Sequence, residues 1–390
     1  MKVVALFAGI GGLELGLHRA GHQTLLFSEI WDPAAAVLAK RFPDIPNLGD
    51  VASVKKLPKV DLLTAGFPCQ DLSQAGKTAG IGGNRSGLVD HVFRLLDDWR
   101  VPWVLLENVS FMLHLDGGRA MNRLVTEFER RNYKWAYRVV NSLGFLPQRR
   151  ERVFFVASLA GSPEDVLLID ETIPQPMQTD LYTHAHGFYW TEGIRGLGWA
   201  PDAVPTLKNG STVGIASPPA ILMPEGVIVK PEIRDAERLQ GFPVDWTKPA
   251  ETVARPSWRW SLVGNAVTVP VAKWVGRRLA SPGKYDNSRD GELLRTARWP
   301  RAARYDGKNR YIVEISDFPV WVDRPPLTRF LHYPADPLSA RATAGFLERT
   351  GRSKLRFVDG FRESVRAHLA RMQRLDRELG FSSMSNVAAE

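Results

Sequence analysis

The stretch Lys2-Val3-Val4-Ala5-Leu6-Phe7-Ala8-Gly9-Ile10-Gly11-Gly12 decides the fold class. Lys2–Phe7 is apolar enough for a buried strand. Gly9, Gly11 and Gly12 then break it sharply, ahead of a helical run from Gly11 to Ala20. Strand, glycine turn and helix form the opening of a βαβ unit. The alternation continues outward from there. Thr24–Ser28, Val60–Ala65, Trp103–Leu106 and Val153–Ala157 read as strands, and Pro33–Phe42, Leu88–Trp99 and Met121–Arg131 as helices, with Pro33 suited to a first turn. Runs such as Trp103-Val104-Leu105-Leu106 suit a sheet covered on both faces. The expected class is α/β, a doubly wound, mostly parallel sheet.

The texture changes after Ser158. Residues 159–230 are rich in Pro and Gly, with scattered aromatics (Tyr182, Phe188, Tyr189, Trp190, Trp199), and read as a smaller, loop-rich domain. A helix–loop–helix texture returns over Glu232–Leu279. The expected division is a catalytic unit over residues 1–158 completed by 264–280, a second unit over 159–263, and a basic C-terminal extension over 285–390.

The 390 residues carry 51 Lys+Arg against 42 Asp+Glu, a net +9. From Tyr285 onward there are 19 Lys+Arg against 14 Asp+Glu, so that quarter of the chain holds +5 of the total. An anionic partner, nucleic acid first, fits this balance, although spread-out surface charge gives the same sum. One cysteine excludes an internal disulfide and any multi-thiolate metal site. No apolar run approaches the ~18–20 residues of a membrane span. The glycines after Val3–Leu6 and the absence of a small-residue cleavage site argue against a signal peptide, so an intracellular protein is expected.

Several constellations could carry chemistry. The Phe7–Gly12 turn lets backbone approach a ligand. Glu29 ends the second strand about 20 residues beyond Gly9, where a carboxylate can hold ribose hydroxyls. Asp50 follows, placed to accept from an adenine amino group. A plain structural turn is the alternative for the glycines. Cys69 lies in Gly66-Phe67-Pro68-Cys69-Gln70, directly after a strand, where open α/β sheets form their crevice. A lone cysteine is otherwise a small buried hydrophobe. The Ser73–Gly87 loop, with five glycines, Lys77 and Arg85, reads as a basic lid. Glu107, in Glu107-Asn108-Val109, ends the next strand facing the same crevice, and burial would raise its pKa. An exposed loop acid is the other reading. Arg150 and Arg152, in Gln148-Arg149-Arg150-Glu151-Arg152, alternate in an extended segment and can point together, unless the cluster is a solvated charge run.

Taken in order, these pieces resemble the C5-cytosine DNA methyltransferases. The resemblance covers about residues 2–280. Arg234-Asp235-Ala236-Glu237-Arg238-Leu239-Gln240-Gly241-Phe242-Pro243 and Gly264-Asn265-Ala266-Val267 extend it. It implies a class I S-adenosylmethionine-dependent fold, S-adenosylmethionine as methyl donor and a cytosine in duplex DNA as acceptor. By the same resemblance, Phe7, Gly9, Gly11, Glu29, Asp50, Val51, Asn265 and Val267 line the cofactor pocket. Cys69 is the nucleophile, Glu107 engages cytosine N3, Arg152 helps hold the base, and Arg150 lies close to Glu107 and the DNA backbone. The DNA-contacting set is Gln70, Ser73, Lys77, Arg85, Thr206 and Leu207, with residues 159–230 as the target recognition region. No metal is implied. The expected protein is a monomer acting on DNA in the cytoplasm, paired with a restriction endonuclease or standing alone.

The chemistry accounts for these residue types. Cytosine C5 is a poor nucleophile until a thiolate adds at C6 and N3 accepts a proton. The base must also leave the stack, at a cost of a few kcal/mol. A tRNA cytosine methyltransferase, a silent DNA-binding protein and a nicotinamide-dependent oxidoreductase are the rival readings. The last lacks the third glycine of the dinucleotide fingerprint and leaves Cys69 unexplained. The departure from the family is the segment beyond Leu279. There Ser339 is expected to cap a helix over Ala340–Thr350 closed by Gly351. Phe361, Val365, Leu369, Met372, Leu375 and Leu379 form an apolar stripe, with Arg362, Arg366, Arg371, Arg374 and Arg377 off it.

Overall fold

The computed structural model describes residues 1–67, 87–176, 179–208, 218–293 and 298–387. Four parallel strands form half of the main sheet: β1 (Lys2–Leu6), β2 (Gln23–Ser28), β3 (Leu62–Ala65) and β4 (Trp103–Val109), in the order β2-β1-β3-β4. Their alternation sets the layers. Val4, Leu6, Leu63 and Leu106 pack on one face, while Val3, Leu62 and Leu105 pack on the other. The first face is covered by the residues of Leu88–Trp99 and Arg119–Arg130, the second by Gly12–His18 and Val269–Ala280. The doubly wound α/β class therefore holds.

Beyond β4 every pairing is antiparallel, so the nine-stranded sheet is mixed, with three parallel pairs against five antiparallel, and not mostly parallel as expected. β5 (Lys134–Asn141) is joined to β7 (Glu151–Ser158) by a short connection carrying β6 (Gln148–Arg149), so β5 and β7 pair antiparallel; β7 is also antiparallel to β4. So short a link cannot make the crossover that parallel pairing needs. The sequence reading has no strand at β5. It is buried on both faces, so it shows no period-two alternation, and Arg138, whose guanidinium is buried against Leu167 O and Ser316 O, interrupts the apolar run that would otherwise announce it.

Residues 186–230 build a second, antiparallel sheet from β8 (His186–Phe188), β9 (Ala200–Pro201), β11 (Ala220–Leu222) and β12 (Ile228–Lys230), while β10 (Val204–Pro205) runs parallel to β6. The segment from 285 onward is shared between the two sheets. β13 (Asp290–Glu292), β14 (Ala302–Tyr305) and β15 (Arg310–Val313) extend the main sheet past β5. β16 (Asp336–Pro337) then adds an edge to β12.

Two C-terminal helices, which we label α1 (Ala340–Gly351) and α2 (Phe361–Val387), cover the second sheet, with Phe346, Phe361 and Val365 buried against Phe188, Ala220 and Leu222. Ser339 caps α1 by accepting from Ala342 N, as expected; Gly351 remains inside the helix and Arg352 closes it. Along α2, Phe361 and Val365 of the apolar stripe are buried, and Leu369 and Met372 only half-buried. His368 takes the next inward position, accepting from Ile228 N (3.2 Å) while its Nε2 meets Leu338 O (2.8 Å), and Leu375 is exposed. Arg366, Arg371, Arg374 and Arg377 face solvent.

Candidate active site

The carboxyl ends of β1, β2, β3 and β4 converge on a cleft of about 570 Å³. Its first wall is the glycine turn. Phe7, Gly9 and Gly11 all adopt positive φ (53°, 55° and 76°), and Trp246 Nε1 pins the turn by donating to Ile10 O at 2.9 Å. A Cβ on Gly12 would stand 2.8 Å from Val267 O. Glycine there lets the first helix meet the segment that carries Asn265 and Val267 to the cleft. Glu29 ties the second strand to the turn, its carboxylate accepting from Gly9 N (2.7 Å) and Trp31 N (2.8 Å). Phe7, Gly9, Glu29, Asn265 and Val267 all line the cleft, as do Glu107 and Arg152.

Gly11, Asp50, Val51 and Arg150 are not brought to that lining. Gly11 begins the helix, its would-be Cβ 2.6 Å from the Phe42 ring. Asp50 caps the turn after it, accepting from Ala52 N at 2.8 Å, and Val51 is buried in the core. Arg150 is a buried bracket: its guanidinium donates to Leu207 O (3.0 Å), Gly264 O (3.1 Å) and Ala266 O (2.8 Å). Burial, and secondly the neighbouring Arg152 charge, hold its pKa well below the ordinary arginine range.

Glu107 is buried, with Arg152 Nε 3.2 Å from its Oε1. Burial raises its pKa, and Arg152 and then Arg150 partly oppose that rise. A carboxyl so placed keeps its proton more readily than an exposed one and can deliver it to a base. Asn108 donates to Phe67 O at 2.8 Å, fixing the last described residue before Pro68. Cys69, Gln70, Ser73, Lys77 and Arg85, and with them the expected basic lid, lie outside the described residues.

A buried amide network joins the distant motifs. Gln148 Nε2 donates to Leu239 O (2.8 Å) and Gln240 Oε1 (3.1 Å), while its Oε1 accepts from Leu207 N (3.1 Å). Thr268 donates to Gln240 Oε1 at 2.8 Å. Thr206 Oγ1 donates to Arg149 O at 2.8 Å, and the Leu207 side chain is buried in the core beneath the second sheet. Trp31 and Glu14 are among the cleft residues that the sequence reading did not single out. Trp31 follows Glu29 by two positions, and an aromatic just past a strand-end acid was the available signal. Glu14 had none beyond its place one turn into the helix. It is buried, its Oε1 accepts from Thr64 Oγ1 at 2.9 Å, and its Oε2 finds no partner among the described residues. Burial pushes its pKa up to about 7.

Comparison with known proteins bears directly on this arrangement. The family model of C-5 cytosine-specific DNA methylases matches residues 1–187. The chain is 47% identical over 380 residues to the Type II methyltransferase M2.BsuMI of Bacillus subtilis strain 168, covering 94% of this chain and 97% of that one. The chain belongs to the C-5 cytosine-specific DNA methylase family. The Type II methyltransferase M.BanI of Aneurinibacillus aneurinilyticus is 37% identical over 171 residues, covering 42% of this methylase and 40% of its own length. In fold, the crystal structure of the S. pombe Dnmt2 methyltransferase superposes with a TM-score of 0.53 at 16% identity, over 72% of this methylase and 99% of that chain.

The methylase is thus a DNA (cytosine-5)-methyltransferase, and its methyl donor is S-adenosylmethionine. The cleft fits that group in size. It also offers the Glu29 carboxylate as an acceptor. Phe7, Gly9, Glu29, Asn265 and Val267 would hold it. Among the described residues no cluster of metal-ligating side chains occurs, and no helix is long and apolar enough to cross a membrane.

Proposed function

We propose that the methylase acts on a cytosine flipped out of a specific duplex DNA site, through a covalent bond between Cys69 Sγ and cytosine C6. The observation that carries this reading is Glu107, a buried carboxyl with raised pKa beside Arg152, in the same cleft as Glu29 and the glycine turn. The Cys69 thiolate adds at C6 as Glu107 gives its proton to N3, which makes C5 enamine-like. S-adenosylmethionine, when bound, supplies an electrophilic methyl group for that carbon. Loss of the C5 proton to solvent then expels the thiolate, and N3 returns its proton to Glu107. Arg152 balances the charge left on Glu107. Arg150 holds together the segments 207, 264 and 266 that frame the site, while Lys77, Arg85, Gln70 and Ser73 contact the DNA backbone and the opened base stack.

Residues 159–263 form the target recognition unit in this reading, with Thr206 and Leu207 at its junction with the extended stretch Gln148–Arg152, which we call the catalytic strand. The name of the Bacillus subtilis relative supports a role as the modification arm of a restriction–modification system with a cognate endonuclease, the alternative being a stand-alone modifier. The protein acts as a monomer on cytoplasmic DNA. An oligonucleotide carrying 5-fluorocytosine at the target should trap a covalent adduct that requires S-adenosylmethionine and is absent in Cys69→Ser. The same assay on tRNA should yield none. An active enzyme that cannot be trapped on DNA would overturn the mechanism.

A further inference from the structure

Helix α1 belongs to the segment beyond the shared motifs, yet it supports the turn Tyr189–Gly193. Arg349 Nε donates to Glu192 O at 3.0 Å and its Nη2 to Trp190 O at 2.7 Å, so one planar guanidinium closes two carbonyls of that turn. The turn lies flat on the helix. Gly193 has φ +111°, and a Cβ there would meet Phe346 at 3.1 Å and Thr350 at 3.2 Å.

From this turn, contacts run to the catalytic strand. Tyr189 OH donates to Thr206 O at 2.8 Å. The Lys208 ammonium pairs with Glu192 and sits 3.7 Å from the Tyr189 ring centroid. Thr206 and Leu207 are in turn bonded to Arg149, Arg150 and Gln148. Arg150 is two residues from Arg152, which pairs with Glu107.

We propose that Arg349 is a positioning residue for target discrimination: it sets the 189–193 turn, and through Glu192 and Tyr189 the register of Thr206-Leu207-Lys208 against the catalytic strand. The proposal rests on reading residues 159–263 as the target recognition unit. A lysine at 349 could satisfy one carbonyl but not both in the same plane. Glu192→Gln breaks the same path at the Lys208 pair without touching the Arg349 bonds, which go to backbone.

The test maps methylation by bisulfite sequencing of a duplex library after limited reaction. The sites favoured by the wild-type chain are taken as cognate and their single-base variants as near-cognate. Arg349→Gln should lower the cognate to near-cognate rate ratio by about tenfold or more, comparable with one base pair's discrimination. Arg349→Lys should restore part of it, and Glu192→Gln should act in the same direction. S-adenosylmethionine affinity, measured by calorimetry, should stay within about twofold. A merely structural role would lower the melting temperature and leave the ratio unmoved. Ratios within twofold of wild type in folded Arg349→Gln and Glu192→Gln overturn the proposal. If Arg349→Gln does not fold, Glu192→Gln decides alone. A wild-type chain that methylates duplex DNA without selectivity overturns the underlying reading, and this proposal with it.

Discussion

Arg152 Nε stands 3.2 Å from Glu107 Oε1 across the β4–β7 ladder. The register explains the meeting. Val109 pairs with Arg152 and Glu107 with Phe154, so Glu107 and Arg152 are diagonal neighbours on one face. Burial raises the Glu107 pKa and the arginine pulls it back. The pair is therefore a proton-holding device whose set point depends on both members.

Removing the arginine should consequently raise the Glu107 pKa further. In Arg152→Met, whatever its overall rate, the alkaline limb of the pH–rate profile should move to higher pH. Glu107→Gln should lose that limb and about 10²-fold or more of kcat. A pH series of single-turnover methyl transfer checks both, and an unmoved limb in Arg152→Met would contradict the pairing.

Glu14 should make stability fall with rising pH. Its folded pKa of about 7 lies above the ordinary 4.5, so between those values the folded chain binds a proton that the unfolded chain has lost. Stability attributable to this group is fully present below pH 4.5 and is lost as pH rises through 7. Urea melts at several pH values should show that slope in wild type and a flatter one in Glu14→Gln.

Arg150→Met should destabilise by about 2–4 kcal/mol, because Leu207 O, Gly264 O and Ala266 O each lose the arginine donor, Ala266 O keeping Gln240 Nε2 at 3.3 Å, while only one buried charge is relieved. The midpoint of urea unfolding should drop at an unchanged slope. The Leu207 and Gly264 segments should also loosen, read as faster amide exchange there.

Gly16→Ala tests how closely two helices approach. A Cβ at Gly16 would lie 2.7 Å from Lys273 N and from Val269 O, both backbone atoms of the helix over Val269–Ala280. Rigid backbone cannot yield as a side-chain tip does, so a loss of about 1–3 kcal/mol is expected. S-adenosylmethionine affinity should fall with it, because the displaced helix follows directly on Asn265 and Val267.

Parts of the fold were legible because they obey local periodicity. The apolar runs at Lys2–Phe7 and Trp103–Leu106 could be read as strands, and the glycines after Phe7 as a turn, without any knowledge of partners. β5 was not legible, because it shows no alternation and the buried Arg138 interrupts its apolar run. The C-terminal arginines looked like one basic feature, yet Arg304 is buried in the main sheet beside Asp290, Arg349 braces a turn of the second, and Arg371 faces solvent.

By itself, the sequence determined β1–β4, β7, the helices between the first strands and the residue types standing at those strand ends, since these follow from backbone preference and local burial pattern. Only the tertiary structure decided which of the alternating arginines serves the cleft. Arg150 stands just ahead of β7 and Arg152 inside it, but three carbonyls from segments 57 to 116 residues away capture the first, whereas the second meets Glu107. Hydrogen-bond partners that distant in sequence leave no local trace, so neither the bracket nor the burial of Glu14 against Thr64 could be read before the chain was folded.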